Sequence, residues 1–199
     1  MFFMKQMDQS ALDRAMCLLG NLMVVRKRPP IHLVVCGGSA LIALNLVTRT
    51  TKDVDVLAIL DDGQLHCARP LPDWLREDAN AARTELSLPD NWLNDGPTDE
   101  NLFRLGLPSG VVGRLVPREF GSVLKVSFIS RYDQIHFKLY AAANQGGRHF
   151  TDLKKLSPTA DELLAAMRWT FTQDVSEGFR QVVGEVLQAL GYGNLIDQI

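Results

Sequence analysis

Two aspartates separated by a single residue are the strongest chemical feature of this 199-residue chain. Asp53 and Asp55 stand in the segment Asp53-Val54-Asp55-Val56, whose β-branched residues favour a strand. Side chains alternate between the two faces of a strand, so both carboxylates point to one side and both valines to the other. Their Cα atoms lie roughly 7 Å apart at the rise of a strand. Two carboxylates at this separation can bind one divalent cation and, through it, the oxygens of a triphosphate.

A glycine turn precedes this pair of aspartates. The run Ile31–Cys36 predicts a short, buried strand that leads into Gly37-Gly38-Ser39, with Ser39 expected to cap a helix that continues to about Val47. The glycines allow backbone N–H groups to approach phosphate oxygens at a helix N-terminus, and the Ser39 hydroxyl can add a donor. Taken alone, such a turn is a common tight turn, and an Asp-x-Asp is more often solvated surface. Neither feature alone is specific for a functional site; their combination indicates a site for a metal and a nucleotide through its resemblance to a known family.

The elements that must position these motifs indicate an α/β (α+β) chain. Ahead of the glycine turn, apolar residues at helical spacing predict a helix over residues 10–28 with Ser10 as its cap. After it, the pattern predicts a strand over 53–60, a helix over 70–86, a long loop over 88–108, strands near 111–116 and 123–129, and helices from residue 132 onward. We therefore expect a core of residues 1–130 and a helical C-terminal subdomain of residues 131–199 packed on it.

Composition and net charge indicate which class of protein and which partners to expect. A formal net charge of −2 and 46% hydrophobic residues are typical of an ordinary globular protein. This charge gives no overall field for a polyanion, so a nucleic-acid partner requires a local basic patch. Three widely spaced cysteines, Cys17, Cys36 and Cys67, favour reduced thiols and a cytoplasmic location. No apolar run approaches the roughly 18 residues of a membrane span, so we expect no membrane partner.

The order of these motifs resembles the signature of the polymerase-β-type nucleotidyltransferase superfamily. The resemblance rests on Gly37-Gly38-Ser39-Ala40-Leu41, Arg49 and the pair Asp53-x-Asp55, and it is nearest to the small bacterial AbiEii-type toxin nucleotidyltransferases. A later part of that pattern is matched by Lys138-Leu139-Tyr140-Ala141-Ala142, Arg148 and Asp152-Leu153. The matched parts cover roughly residues 31–60 and 123–170 and leave residues 61–120 unmatched.

The resemblance implies the nucleotidyltransferase fold, in which a mixed sheet is flanked by helices and a nucleoside triphosphate (NTP) lies in a cleft. Asp53 and Asp55 would bind Mg²⁺ or Mn²⁺. The turn Gly37-Gly38-Ser39, together with Arg49 and Lys138, would bind the nucleotide.

The implied reaction transfers a nucleoside monophosphate from the NTP to a hydroxyl group. The acceptor would be RNA, for example the 3′ end of a tRNA, or a protein. Asp53, Asp55, Lys138 and Asp152 would form the catalytic set, in which Asp152 orients Lys138 or activates the acceptor. The toxin members of the group further imply a cognate antitoxin as partner.

The pattern leaves alternatives open. Polymerase-type members carry a third carboxylate on a later strand, and Ser127 stands at the matching place, which allows a catalytically impaired nucleotide-binding or partner-binding module with the same fold. Lys138 could instead be a surface lysine with its stem on apolar neighbours. Arg148 and Asp152, four residues apart, could form a surface ion pair on one helix.

Overall fold

Helices and strands alternate over the first two thirds of the chain, and helices alone fill the rest. The computed structural model describes residues 6–98 and 100–199; residues 1–5 of the predicted core and residue 99 of the predicted loop lie outside the described residues. Its α-helices are α1 (Gln9–Val25), α2 (Gly37–Ala43), α3 (Asp73–Leu86), α4 (Glu100–Leu105), α5 (Arg131–Gln145), α6 (Gly147–Lys155), α7 (Ala160–Gln173) and α8 (Glu177–Leu190). Its strands are β1 (Ile31–Cys36), β2 (Val54–Asp61), β3 (Gln64–Cys67), β4 (Leu93–Asn94), β5 (Val116–Glu119) and β6 (Leu124–Phe128), and short 3₁₀ helices span Val111–Arg114 and Gly193–Gln198.

The described strands form one mixed, open sheet in the order β3-β2-β1-β6-β5, and β4 pairs with β2 outside this path. The central strand β1 runs antiparallel to β2 and parallel to β6. The predicted α+β class, with a mixed sheet flanked by helices, is therefore confirmed. In the part of the chain that the structure describes, no helix is both long and apolar enough to cross a membrane.

Strand alternation decides which side chains enter the core of the sheet domain. Leu33 and Val35 of β1, with Val54 and Val56 of β2, pack against apolar side chains of α1 and α3. Residues of the opposite parity, among them Asp55, lie on the other face of the sheet. The predicted separation of valines and carboxylates onto two faces is thus present in the fold.

Two helix caps differ from the sequence prediction. Ser10 does not cap α1; Asp8 does, because its Oδ1 accepts a hydrogen bond from the Ala11 amide at 2.8 Å. Ser39 does not cap the second helix either, since α2 begins at Gly37 and Cys36 occupies the cap position. A sequence pattern cannot separate a capping hydroxyl from one located a residue or two inside the helix.

The segment predicted as an unstructured loop over 88–108 contains β4 and α4. Strand β3 was also not predicted, and it forms a hairpin with β2 through Asp62 and Gly63, which have φ values of 45° and 75°. Positive φ at both positions is typical of a type I′ hairpin turn. Of these elements, β4 is the one that brings a polar side chain, Asn94, beside β2.

The chain divides into two compact units. The described residues up to Phe103, with Val112–Ile129, form the first unit, and Arg104–Val111 with Ser130–Ile199 form the second. In the second unit, the ring of Trp169 on α7 contacts Phe137 and Tyr140 of α5. A capping box between Thr159 and Glu162 starts α7, Gly146 separates α5 from α6, and α8 ends at Gly191.

Candidate functional site

The two aspartates lie where strand β2 begins. Asp53 is the residue before the strand, and Asp55 pairs with Cys36, the last residue of β1. Both aspartates are half-buried, whereas Val54 and Val56 between and after them are fully buried in the core. The two carboxylates therefore share the face of the sheet opposite to the hydrophobic core.

Gly37 lies directly against the carboxylate of Asp55. Its φ of +69° is a left-handed conformation that side chains disfavour, and a Cβ on this residue would collide with Oδ2 of Asp55. A side chain at the first glycine is consequently disfavoured for two reasons. One is the backbone turn from β1 into α2, and the other is the close approach of the carboxylate.

Gly38 continues this arrangement on the side of Asp53. A Cβ on Gly38 would lie 2.7 Å from Nη2 of Arg49 and 3.0 Å from Oγ1 of Thr51. The Thr51 hydroxyl in turn donates a hydrogen bond to Oδ1 of Asp53 at 3.1 Å. The structure therefore brings five of the predicted site residues together: both glycines, the arginine and both aspartates.

Ser39 behaves differently from its two neighbours. Its side chain is fully buried, and its hydroxyl donates to the carbonyl oxygen of Cys36 at 3.2 Å. This bond holds the first turn of α2 against the end of β1. Contact of the Ser39 hydroxyl with a phosphate stays a prediction, and in the observed arrangement the hydroxyl supports the turn.

Two further polar residues belong to this site and were not identified from the sequence. Thr51 had no predicted role, and Asn94 lay in the predicted loop over 88–108. The Asn94 side chain reaches Asp55 because β4 pairs with β2 at this level, and its Nδ2 lies 3.3 Å from Oδ1 of Asp55. The Asp-x-Asp spacing carries no signal for a partner 39 positions away in sequence, so only the strand pairing reveals it.

This set of donor atoms fits a hard divalent cation. Mg²⁺ binds oxygen ligands and is commonly held by one or two carboxylates together with waters and substrate phosphates. Asp53 and Asp55 supply two such carboxylates. Among the described residues there is no group of three or more His, Cys, Asp or Glu side chains placed for a metal, so a cation here would take its other ligands from phosphate and water.

Lys138 and Asp152 form an ion pair within the second unit. Lys138 Nζ on α5 lies 2.9 Å from Oδ2 of Asp152 on α6, and the two side chains are 5% and 0% exposed. The alternative of a surface lysine is therefore wrong. Asp152 has Lys138 as its ion-pair partner, whereas Arg148 is exposed on α6.

Ser127 lies on β6 and is almost completely buried. Its Oγ is 2.8 Å from Nε2 of His32, and its nearest strand partner in β1 is Val34. Burial, followed by the positive charge of Lys125, lowers the pKa of His32. No carboxylate is present on β6. The position at which polymerase-type members carry a third carboxylate is occupied here by Ser127, which is hydrogen-bonded to His32.

Comparison with known proteins provides no relative for this chain. No family model, no curated protein and no solved structure matches it.

Proposed function

We propose that this protein is a metal-dependent nucleotidyltransferase whose site is formed by the glycine turn and the two aspartates of the first unit. The observation that carries the proposal is the close approach of Gly37 to Asp55, since a Cβ on the glycine would collide with Oδ2 of Asp55 and would displace the carboxylate. A glycine turn that only reverses the chain has no need of an adjacent carboxylate. A site that binds a phosphate and its cation needs both within one short distance.

The residues of the chain have separate tasks in this proposal. Asp53 and Asp55 hold the cation, which when bound neutralises charge on the triphosphate and in the transition state. Gly37 and Gly38 let phosphate oxygens approach the backbone of the turn because neither has a side chain. Arg49, whose guanidinium lies beside Gly38, can donate two parallel hydrogen bonds to one phosphate.

The reaction is an in-line displacement at the α-phosphorus of an NTP. The acceptor hydroxyl oxygen forms a bond to that phosphorus, the bond to the β-phosphate oxygen breaks, and pyrophosphate and the hydroxyl proton leave. Within the second unit, the buried Asp152 carboxylate fixes the position of the Lys138 ammonium. This supports orientation of Lys138 as the role of Asp152, since a fully buried and paired carboxylate is poorly placed to activate an acceptor.

The charge distribution of the second unit supports RNA as the acceptor. Residues 130–159 contain five basic and two acidic residues, and both acidic residues are buried. Arg148, Lys154 and Lys155 are all exposed on α6. Seven residues of helix span roughly 10 Å, which corresponds to about three successive phosphates of one strand. This is the local basic patch that a chain with a net charge of −2 requires for a polyanion.

A second candidate is a nucleotide-binding module that has no transferase activity. It is favoured by the absence of a carboxylate from β6, where Ser127 stands, and by the Asn94 amide, which donates to Asp55 from β4. Such a module would bind the NTP and cation and would release the NTP unchanged.

Transfer of label from [α-³²P]NTPs to total RNA or to total protein tests the proposal. Asp53→Asn and Asp55→Asn should each abolish incorporation, while Asp62→Asn, at the exposed hairpin turn that follows β2, should leave it unchanged. Incorporation that persists in both site variants would refute the proposal. NTP binding without incorporation by the parent protein would establish the module instead.

A further inference from the structure

We propose that Thr51 and Asn94 are positioning residues that orient the two aspartates, one for each carboxylate. The inference rests on the proposed function, because it assigns these residues to the metal site formed by Asp53 and Asp55. Thr51 donates to Oδ1 of Asp53, and Asn94 donates to Oδ1 of Asp55. Neither residue is expected to touch the cation or the reacting atoms.

The orientation of the Asn94 amide is fixed by its own hydrogen bonds. Its Oδ1 accepts from the backbone N–H of Gly96 at 2.8 Å, and only a carbonyl oxygen can accept there. The Nδ2 group must therefore point the other way, toward Asp55 at 3.3 Å. Gly96 permits this contact because it has no side chain. A Cβ on this residue would lie only 2.9 Å from Oδ1 of Asn94.

The strand that carries Asn94 is anchored independently of the site. Trp92 is 1% exposed, and its indole N–H donates to the carbonyl oxygen of Ala79 on α3 at 2.9 Å. The Trp92 carbonyl accepts from the Val54 amide, and β4 then pairs with β2 in parallel register so that Asn94 stands beside Asp55. A two-residue strand with these anchors serves to hold Asn94 at the carboxylate.

Thr51 is anchored in a comparable way. It is 2% exposed, and its backbone exchanges two hydrogen bonds with Met7, at 2.7 Å and 2.9 Å. The bridge fixes the backbone of Thr51, and its hydroxyl then lies 3.1 Å from Oδ1 and 3.3 Å from the backbone carbonyl oxygen of Asp53. A donor fixed in this manner can hold Oδ1 of Asp53 in one orientation.

The consequence of both contacts is a defined direction for the metal-binding oxygens. Asp55 has Oδ1 at Asn94 and Oδ2 at the Gly37 turn, so its carboxylate plane is set by a donor on one side and a glycine on the other. Hydrogen bonds to the ligands of a metal typically change its affinity by 10- to 100-fold when they are removed. A cation site with two protein carboxylates depends strongly on this orientation.

Titration of the full-length protein with Mn²⁺, followed by electron paramagnetic resonance in the absence of NTP, tests the inference. Thr51→Val and Asn94→Ala should each weaken Mn²⁺ binding by about 10-fold. Asp95→Ala is the matched control, because Asp95 is adjacent in sequence but its carboxylate accepts from the Leu71 amide. It removes an anchor of the same segment and should leave the Mn²⁺ affinity within about twofold of the parent.

The outcomes separate the inference from the proposed function. If the parent binds no Mn²⁺, or if Asp53→Asn binds it as tightly as the parent, the metal site itself is wrong and the positioning roles are overturned with it. If Asp53→Asn abolishes binding while Thr51→Val and Asn94→Ala bind as the parent does, only the positioning roles are refuted. Equal losses in Asn94→Ala and Asp95→Ala would show that the segment acts through its stability alone, which also refutes the role of Asn94.

Discussion

Removal of one partner of the Lys138–Asp152 pair should destabilise the second unit far more than removal of both. Lys138→Met keeps the length of the side chain and leaves the Asp152 carboxylate buried without its counter-charge, since the two side chains are 5% and 0% exposed. Asp152→Leu leaves the ammonium in the same situation. The double substitution removes both charges and leaves two apolar side chains of similar size in contact.

The magnitude follows from the separation of the charged atoms. At 2.9 Å and an effective dielectric constant of about 20, the attraction is roughly 6 kcal/mol. The cost of removing two ions from water is several kcal/mol for each, so the intact pair contributes little net stability. A single substitution loses the attraction but retains one desolvated ion, and we expect a loss of about 3–5 kcal/mol. The double variant should lie within about 2 kcal/mol of the parent.

Amide hydrogen exchange over α5 and α6, measured by mass spectrometry, reports this effect in the unit concerned. Exchange should be strongly accelerated in each single variant and largely restored in the double variant, which at these magnitudes amounts to a coupling free energy of at least about 4 kcal/mol. If the stability losses of the two single variants simply add in the double variant, the reasoning is refuted. NTP affinity measured on the same variants then reports whether Lys138 also contacts the triphosphate.

Two further effects concern the first unit. Asp78 is fully buried and bonds the guanidinium groups of both arginines that follow α1, so Asp78→Asn should lower the free energy of unfolding by roughly 1–3 kcal/mol in a urea titration. Burial and the charge of Lys125 lower the pKa of His32 below its ordinary value of 6.5. The unfolded chain therefore binds more protons, and stability falls as the pH drops from 6.5 toward the folded-state pKa. His32→Asn should remove this part of the pH dependence when urea midpoints at about pH 7.5 and about pH 5.5 are compared.

Local patterns were sufficient to predict much of the fold. The apolar run of β1 and the β-branched residues of β2 each depend on neighbours within a few positions, and the structure has both strands. Strands β3 and β4 were missed for a different reason. β3 depends on its hairpin partner, and β4 is only two residues long and exists because of its pairing with β2. Such elements have no periodicity of their own.

The distinction between features set by local sequence and features set by distant pairing also applies to the site. The contact between the glycine turn and Asp55 could be predicted, because adjacent antiparallel strands bring the end of β1 to the start of β2. The roles of Thr51 and Asn94 could not, because hydrogen-bond partners of a carboxylate follow from side-chain direction and long-range pairing. Ser39 shows the opposite error, since its residue type suggested a cap and its position placed it inside the helix.

Strand register determines whether the position of Ser127 on β6 could supply a third carboxylate to the site of Asp53 and Asp55. In the β1–β6 pairing Ser127 stands beside Val34, two residues before Cys36, which is the partner of Asp55. Two strand spacings of about 4.8 Å and two residues along the strand separate Ser127 from Asp55 by roughly 12 Å. A carboxylate at this place would therefore not share one cation closely with Asp55.

The strand partner of Asp55 in β4 is Asn94, whose amide is neutral. The protein thus supplies two carboxylates at the pair, and the guanidinium of Arg49 lies beside Gly38 in the same site. A second cation would have to bring its balancing charge from the phosphates of the nucleotide, because like charges held together without a counter-ion are unfavourable. The Mn²⁺ titration in the absence of NTP should accordingly reach one ion per chain. This makes the orientation of two carboxylates, rather than the number of carboxylates in the sheet, the property on which the proposed activity depends.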